Sequence, residues 1–533
     1  MKPFRMFLPV KPFRKTLPLK PFHRLLQSAA VWPFLLIGIF PLGLLLIRGL
    51  RESLRTGQAA AVLFDPGREL VLFLKTVAYA GAVAAAVTGI GILAAIFVCG
   101  PGKRFYHQLT WILFIAVPVP ACVHALAWLK WSAIMNKTGF LAWSSRGWVM
   151  SWFVESMALL PIGVLIIAGG VLTINKEQIM AARLLGSDAK FLARLLPRYL
   201  QPQIMATAAI VLILAINDYA IPSIFSVNVY ALEIFVEYSS SLSVSRTILK
   251  SIPLMALQII ILIAILNVIA QVFLSGKSGE FAENNLVFPK LVNWLAGLAM
   301  VLVAVQIAGP GSVILLDQQM WLELGHTLTS TAPDLATSLL IGVVAVVAGV
   351  PVIYATAVWL NRTRFKQLGL FIVLLPSVLP AALMGAAYIN MFNQPQTTII
   401  YNSILMPALA VLARFMPFGV IITLAWIKRL DPDLLHAAEI LEGRTIRNAL
   451  LIKLPMIATG LLLGSALIFL FCLGELGATV LVLPPGLSTV TVRLYNYLHY
   501  GASEQVQGLS FILLAIIGLL AGLGMLLSRR KAP

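Results

Sequence analysis

Charge is scarce in this chain. Only 11% of its 533 residues are Asp, Glu, Lys or Arg, against 60% that are hydrophobic. That shortage argues against a soluble globular protein and leaves no charged domain on which a nucleic acid could sit. Cysteine is nearly absent: Cys99, Cys122 and Cys472 are odd in number and lack ligand spacing, so neither a disulfide framework nor a zinc site is indicated. No Gly-rich phosphate loop ending in Lys-Ser/Thr occurs. Gly89-Ile90-Gly91 and Gly309-Pro310-Gly311 lie in or beside apolar runs, not between a strand and a helix. Enzymatic readings therefore fail, and no cofactor or metal is called for.

What the chain has is apolar length. Runs near 20 residues, the requirement for crossing a bilayer as a helix, recur about twelve times. In the first half they lie near 31–47, 77–98, 109–129, 149–172, 205–225 and 252–274. In the second they lie near 294–316, 335–360, 368–392, 404–427, 458–482 and 509–527. The expected fold is an all-α polytopic membrane protein.

The net charge of +19 is distributed unevenly. Lys and Arg concentrate in the amino-terminal segment, at Lys103-Arg104, around 176–198, at 362–366, around 428–453 and in the tail Arg529-Arg530-Lys531. The alternate loops near 317–334 and 392–401 have none, and 484–507 has only Arg493. By the positive-inside rule the basic loops and both termini are cytoplasmic. Arg48, Arg51, Arg55 and Arg68, with Lys130, Lys137 and Arg146, fall on the expected outer side and break the pattern. The first 28 residues repeat Lys-Pro-Phe at Lys2, Lys11 and Lys20 and read as a basic cytosolic tail, not a cleaved signal.

The chain repeats itself at an offset of about 256 residues. Glu177-Gln178-Ile179-Met180-Ala181-Ala182-Arg183-Leu184-Leu185-Gly186, reaching Pro197, is answered by Leu435-His436-Ala437-Ala438-Glu439-Ile440-Leu441-Glu442-Gly443, reaching Leu454-Pro455. Each follows a span with Pro-x-Gly, at Pro161-Ile162-Gly163 and Pro417-Phe418-Gly419. Each precedes a span with an acid near its end, Asp218 and Glu475. Pro118 and Pro120 answer Pro376 and Pro380. Six spans per copy is an even number, so the copies are parallel, related by an axis along the membrane normal with a path between them. The expected division is a tail at 1–28, a first unit at 29–274, a linker at 275–290, a second unit at 291–527 and a tail at 528–533.

These residues resemble a family. The Ala-Ala, Gly and Leu-Pro spacing is similar to the cytosolic coupling loop of binding-protein-dependent ABC importer permeases, in a fused form with two type I six-helix modules, as in the iron(III) and thiamine branch. The segment Asp218–Pro222 and the stretch Leu483-Pro484-Pro485-Gly486, with Thr491–Gly501, fit the same branch. The likeness implies a short helix in each loop that docks on an ATPase subunit, through Glu177, Ala181, Ala182, Gly186 and Pro197, and through His436, Ala437, Ala438, Glu442, Gly443, Leu454 and Pro455. Met180 and His436 replace the motif's Glu, and Gly443 comes one residue late. Two copies of a cytosolic ATPase, an extracytoplasmic binding protein and a bacterial cytoplasmic membrane are implied. So is a small solute as cargo, ferric iron first, with thiamine, polyamines and small anions behind.

Ionisable groups inside spans point to function. Glu155 and Arg414 are the clearest and are expected to line the path or to pair with each other. Asp218 and Glu475 are expected near the outer ends of their spans, on the path or bonded to helix ends, and His124 as a satisfied interhelical donor. The rival reading is an ion-coupled secondary transporter of twelve spans using Glu155, Arg414, Asp218 or Glu475. A non-transporting membrane subunit is a third.

Overall fold

The computed structural model describes residues 31–56, 67–138, 146–174, 196–274, 289–431, 433–434, 440, 449–500 and 503–529. Every regular element among them is helical. Nine helices are long and apolar enough to cross a membrane, and two sharply bent pairs bring the number to eleven. The last helix carries a shorter apolar stretch, Gln505–Leu520.

The helices follow one order twice. The first round is α1 (Trp32–Arg55), α2 (Arg68–Cys99), the bent pair α3 (Tyr106–Ala116) and α4 (Ala121–Thr138), then α5 (Trp148–Leu172). It continues with α6 (Leu196–Asn217), the short α7 (Ala220–Ile224), α8 (Tyr230–Ser241) and α9 (Val244–Leu274). The second round is α10 (Lys290–Leu315), α11 (Gln318–Arg362), the bent pair α12 (Lys366–Val378) and α13 (Ala381–Phe392), and α14 (Leu405–Ile427). Then come α15 (Leu454–Gly474), the short α16 (Thr479–Val482), α17 (Val490–Tyr500) and α18 (Ser503–Arg529).

The runs at 109–129 and 368–392 are not continuous spans. Each breaks in two, bending by 98° and by 92°. Pro118 and Pro120 in one, Pro376 and Pro380 in the other, remove backbone donors and cannot continue a straight helix. The segment 317–334, expected as a loop, is instead the start of the 45-residue α11. Asp317 begins it by accepting from the N–H groups of Gln319 and Met320. The buried Met320 and Leu335 hold it in one apolar cluster with Leu509 and Leu513 of α18.

In each round three helices pack together: α2, α5 and α6 in the first, α11, α14 and α15 in the second. Small residues let them approach closely. A Cβ on Gly163 would meet Val87 at 2.8 Å, and one on its repeat partner Gly419 would meet Ile468 at 2.7 Å. The first helix of each round crosses to the other round. α1 lies along α13, where Tyr388 donates to the Ile37 carbonyl at 2.8 Å and Arg48 to the Asn390 carbonyl at 3.1 Å. α10 lies along α2 and α4, where Trp131 donates to the Gly309 carbonyl at 3.2 Å and Lys130 meets Asp317 at 2.9 Å.

These contacts also account for basic residues that spoil the charge pattern. Arg48 and Lys130 are held as just described, and Arg68 lies 3.9 Å from Glu233. Burial alone would raise the Asp317 carboxyl. The hydrogen bond and charge of Lys130, with the N–H groups of Met320 and Gln319, instead hold it below the ordinary carboxylate range. Lys250 is likewise surrounded, by Glu237 at 2.8 Å, Glu69 at 3.3 Å and Glu233 at 3.4 Å. The three cysteines are free and buried.

Candidate functional site

Four interruptions in the helices meet at one place. They are the bend around Pro118–Pro120, the bend before Ala381, the break at Asp218-Tyr219 and the break at Glu475–Gly477; together they enclose a cavity of about 230 Å³. Irregular backbone inside a membrane protein is tolerated where it lines such a space. The two rounds touch directly here. A Cβ on Gly474 would lie 3.4 Å from the Pro118 carbonyl oxygen, and Asn217 Nδ2 donates to the Val378 carbonyl at 2.8 Å. Gln258 in turn donates to Asn217 Oδ1 at 2.7 Å.

All four ionisable residues singled out within the spans, Glu155, Asp218, Arg414 and Glu475, line this one cavity. Arg414 does not pair with Glu155. It reaches within its own round to Glu475, Nη1 to Oε1 at 2.9 Å, and its backbone carbonyl accepts from Ser377 at 2.6 Å. Glu475 is 4% exposed yet fully engaged. Its Oε1 also accepts from the Ala478 N–H at 2.7 Å, and its Oε2 from the Thr479 N–H at 2.8 Å and from the Thr479 hydroxyl. A buried carboxylate is stable only with such company. Gly477 is required by this turn: a Cβ there would sit 2.5 Å from Ala381 Cβ and 3.5 Å from Arg414 Nη1.

The first round carries no such ion pair. Asp218 accepts from the N–H of Ala220 at 2.8 Å and of Ile221 at 3.5 Å, at the start of α7, much as Glu475 does before α16. Aligned on the repeated Pro-x-Gly, the residue matching Arg414 is Ala158, which also lines the cavity and offers no charge. Glu155 lies one turn before it on the same face, 2% exposed, with Oε2 lacking a hydrogen-bond partner among the described residues. Tyr219, another wall residue, has a buried hydroxyl in the same condition.

Several readings need correction or placing. His124 is buried, but neither ring nitrogen has a partner among the described residues, so it is not the satisfied donor expected. It packs beneath the bend in a cluster rather than joining the cavity wall. Asn217, Tyr219 and Ala158 were not singled out, although Asn217 and Tyr219 flank Asp218 in a segment that was. Of the coupling residues, Pro197 opens α6 and Leu454-Pro455 open α15, equivalent positions where proline suits the first helical turn. Glu177, Ala181, Ala182, Gly186, His436, Ala437, Ala438, Glu442 and Gly443 lie outside the described residues.

No family model matches the chain. Over 203 residues it is 28% identical to a molybdenum ABC transporter permease protein of Haloferax volcanii, covering 37% of this chain and 72% of that protein. Over 147 residues it is 27% identical to a 2-aminoethylphosphonate transport system permease protein of Salmonella paratyphi A, covering 27% of this chain and 55% of that one. The chain is thus an all-α, multi-pass membrane protein whose relatives are transport-system permeases, their names giving different cargoes.

Proposed function

We propose that the chain is the transmembrane permease subunit of an ATP-driven importer, with two six-helix modules fused in one polypeptide. The observation that carries the reading is the cavity where both rounds interrupt their helices, flanked by the twice-repeated Ala-Ala segment. A pseudo-twofold axis along the membrane normal places a translocation path between two such modules. The similarity to permease proteins agrees with this role.

In this reading the basic ends of the helices face the cytoplasm of a bacterium, and two ATPase copies dock on the Ala-Ala segments. A binding protein delivers solute to the opposite face, near 227–243 and 484–507. Closure of the ATPases draws the modules together at one face and opens them at the other; hydrolysis resets them. Among cargoes, family likeness favours ferric iron over the oxyanion and phosphonate of the relatives.

The test is to solubilise the protein from its native membrane and identify what co-purifies. An ABC ATPase at about two copies per chain is expected. Ala182→Glu and Ala438→Glu should each separate ATP hydrolysis from uptake while the chain still inserts. A chain that purifies alone and transports undiminished in both variants would turn the assignment to an ion-coupled carrier.

A further inference from the structure

The two rounds differ at one point of charge. In the second, Arg414 supplies the positive charge that Glu475 needs. In the first, its counterpart is Ala158, and Asp218 has no Lys, Arg or His partner among the described residues. A second acid, Glu155, stands beside Asp218 in its place. The same architecture therefore carries a filled cation position on one side and an unfilled one on the other. We propose that Glu155 and Asp218, with the Tyr219 hydroxyl, form a binding site for one positively charged group of the transported solute. The group takes the place that the Arg414 guanidinium occupies in the second round.

Three observations carry this. The Glu155 carboxyl is 2% exposed and its Oε2 has no partner, an arrangement that costs several kcal/mol for a charged group unless a cation or proton joins it. The buried Tyr219 hydroxyl, in the same wall, also lacks a partner and can accept from a cationic donor. The cavity is faced by three carboxylates and one guanidinium, and the guanidinium is already paired, so the field inside favours a cation and opposes an oxyanion such as molybdate. Phe415 and Phe471, also in the wall, present aromatic rings, a surface that accepts cations. At about 230 Å³ the space admits a small amine or a metal ion with part of its hydration.

This inference rests on the cavity being the solute's path, and the test separates the two. The purified full chain is heated in detergent with methylammonium chloride, manganese(II) chloride, sodium molybdate or N-methylglucamine chloride at equal ionic strength. Methylammonium should raise the unfolding midpoint saturably, and the bulky N-methylglucamine should not. Glu155→Gln and Asp218→Asn should each weaken the response about tenfold or more. Ala158→Arg, which restores the second-round arrangement, should raise the midpoint unaided and abolish the response. A response to manganese(II) alone supports the site and assigns its occupant to a metal ion. A response to molybdate, an equal response in the Gln and Asn variants, or none to either small cation overturns it. Loss of the cation response with an ATPase still co-purifying would leave the permease reading standing. A cation response with no ATPase would keep the site and move it to an ion-coupled carrier.

Discussion

Removing Arg414 should expose how much the cavity depends on its single ion pair. For charge centres about 4 Å apart, the attraction at an effective dielectric of about 20 is about 4 kcal/mol. Desolvating both groups offsets much of that, because the Glu475 side chain is 1% and the Arg414 side chain 17% exposed. Removing one partner is different: Arg414→Met leaves a buried carboxylate, a loss of about 3–5 kcal/mol in typical cases. The N–H groups of Ala478 and Thr479 remain on Glu475 and place the expected loss at the lower end. Glu475→Gln strands a guanidinium that is nearer to solvent, so it should cost less. The double variant should recover part of the loss, giving a coupling of about 2 kcal/mol. The assay is reversible unfolding of the purified chain in mixed micelles for all four proteins. A coupling below about 0.5 kcal/mol would refute the claim that this pair holds the second-round break together.

Two further outcomes follow from the same geometry. Gly477→Ala places a methyl 2.5 Å from Ala381 Cβ, so α13 must shift; a lower midpoint is expected, partly restored by Ala381→Gly in the double variant. Asp317 is held below the ordinary carboxylate range, so its stabilisation is present above the unfolded-state value and lost as pH falls through the folded one. Wild-type stability should therefore decline on acidification below about pH 4, whereas Asp317→Asn should start lower at neutral pH and decline less, as read by thermal melts across pH.

Much of the fold was legible because apolar length is a coarse signal that tertiary context rarely overrides in a membrane. The doubled prolines at Pro118, Pro120, Pro376 and Pro380 marked the bends, but a hydropathy run does not distinguish a straight span from one turned through 98°. Residues 317–334 read as a loop because Asp317, His326 and Asp334 dilute the apolar pattern. Their helix depends on α18 and on Arg493, which pairs with Asp334 at 2.7 Å, contacts made with residues far away in the chain. The four cavity charges stood out as costly residues in spans. Their pairing did not, since Arg414 and Glu475 are separated by a whole helix and a long basic segment. Ala158 carried no signal at all. An alanine becomes informative only when the repeat sets it opposite an arginine.

The exchange of α1 and α10 bears on how force moves through the molecule. Each is anchored by its own round and gripped by the other, as crossed arms are. A push arriving at one basic segment is then delivered to both sides of the cavity, through Tyr388 and Arg48 in one direction and Trp131 and Lys130 in the other. On the permease reading, a stroke from one motor subunit suffices to tilt both modules. The two docking segments are thereby free to diverge, as Met180 and His436, Gly186 and Glu442 have done.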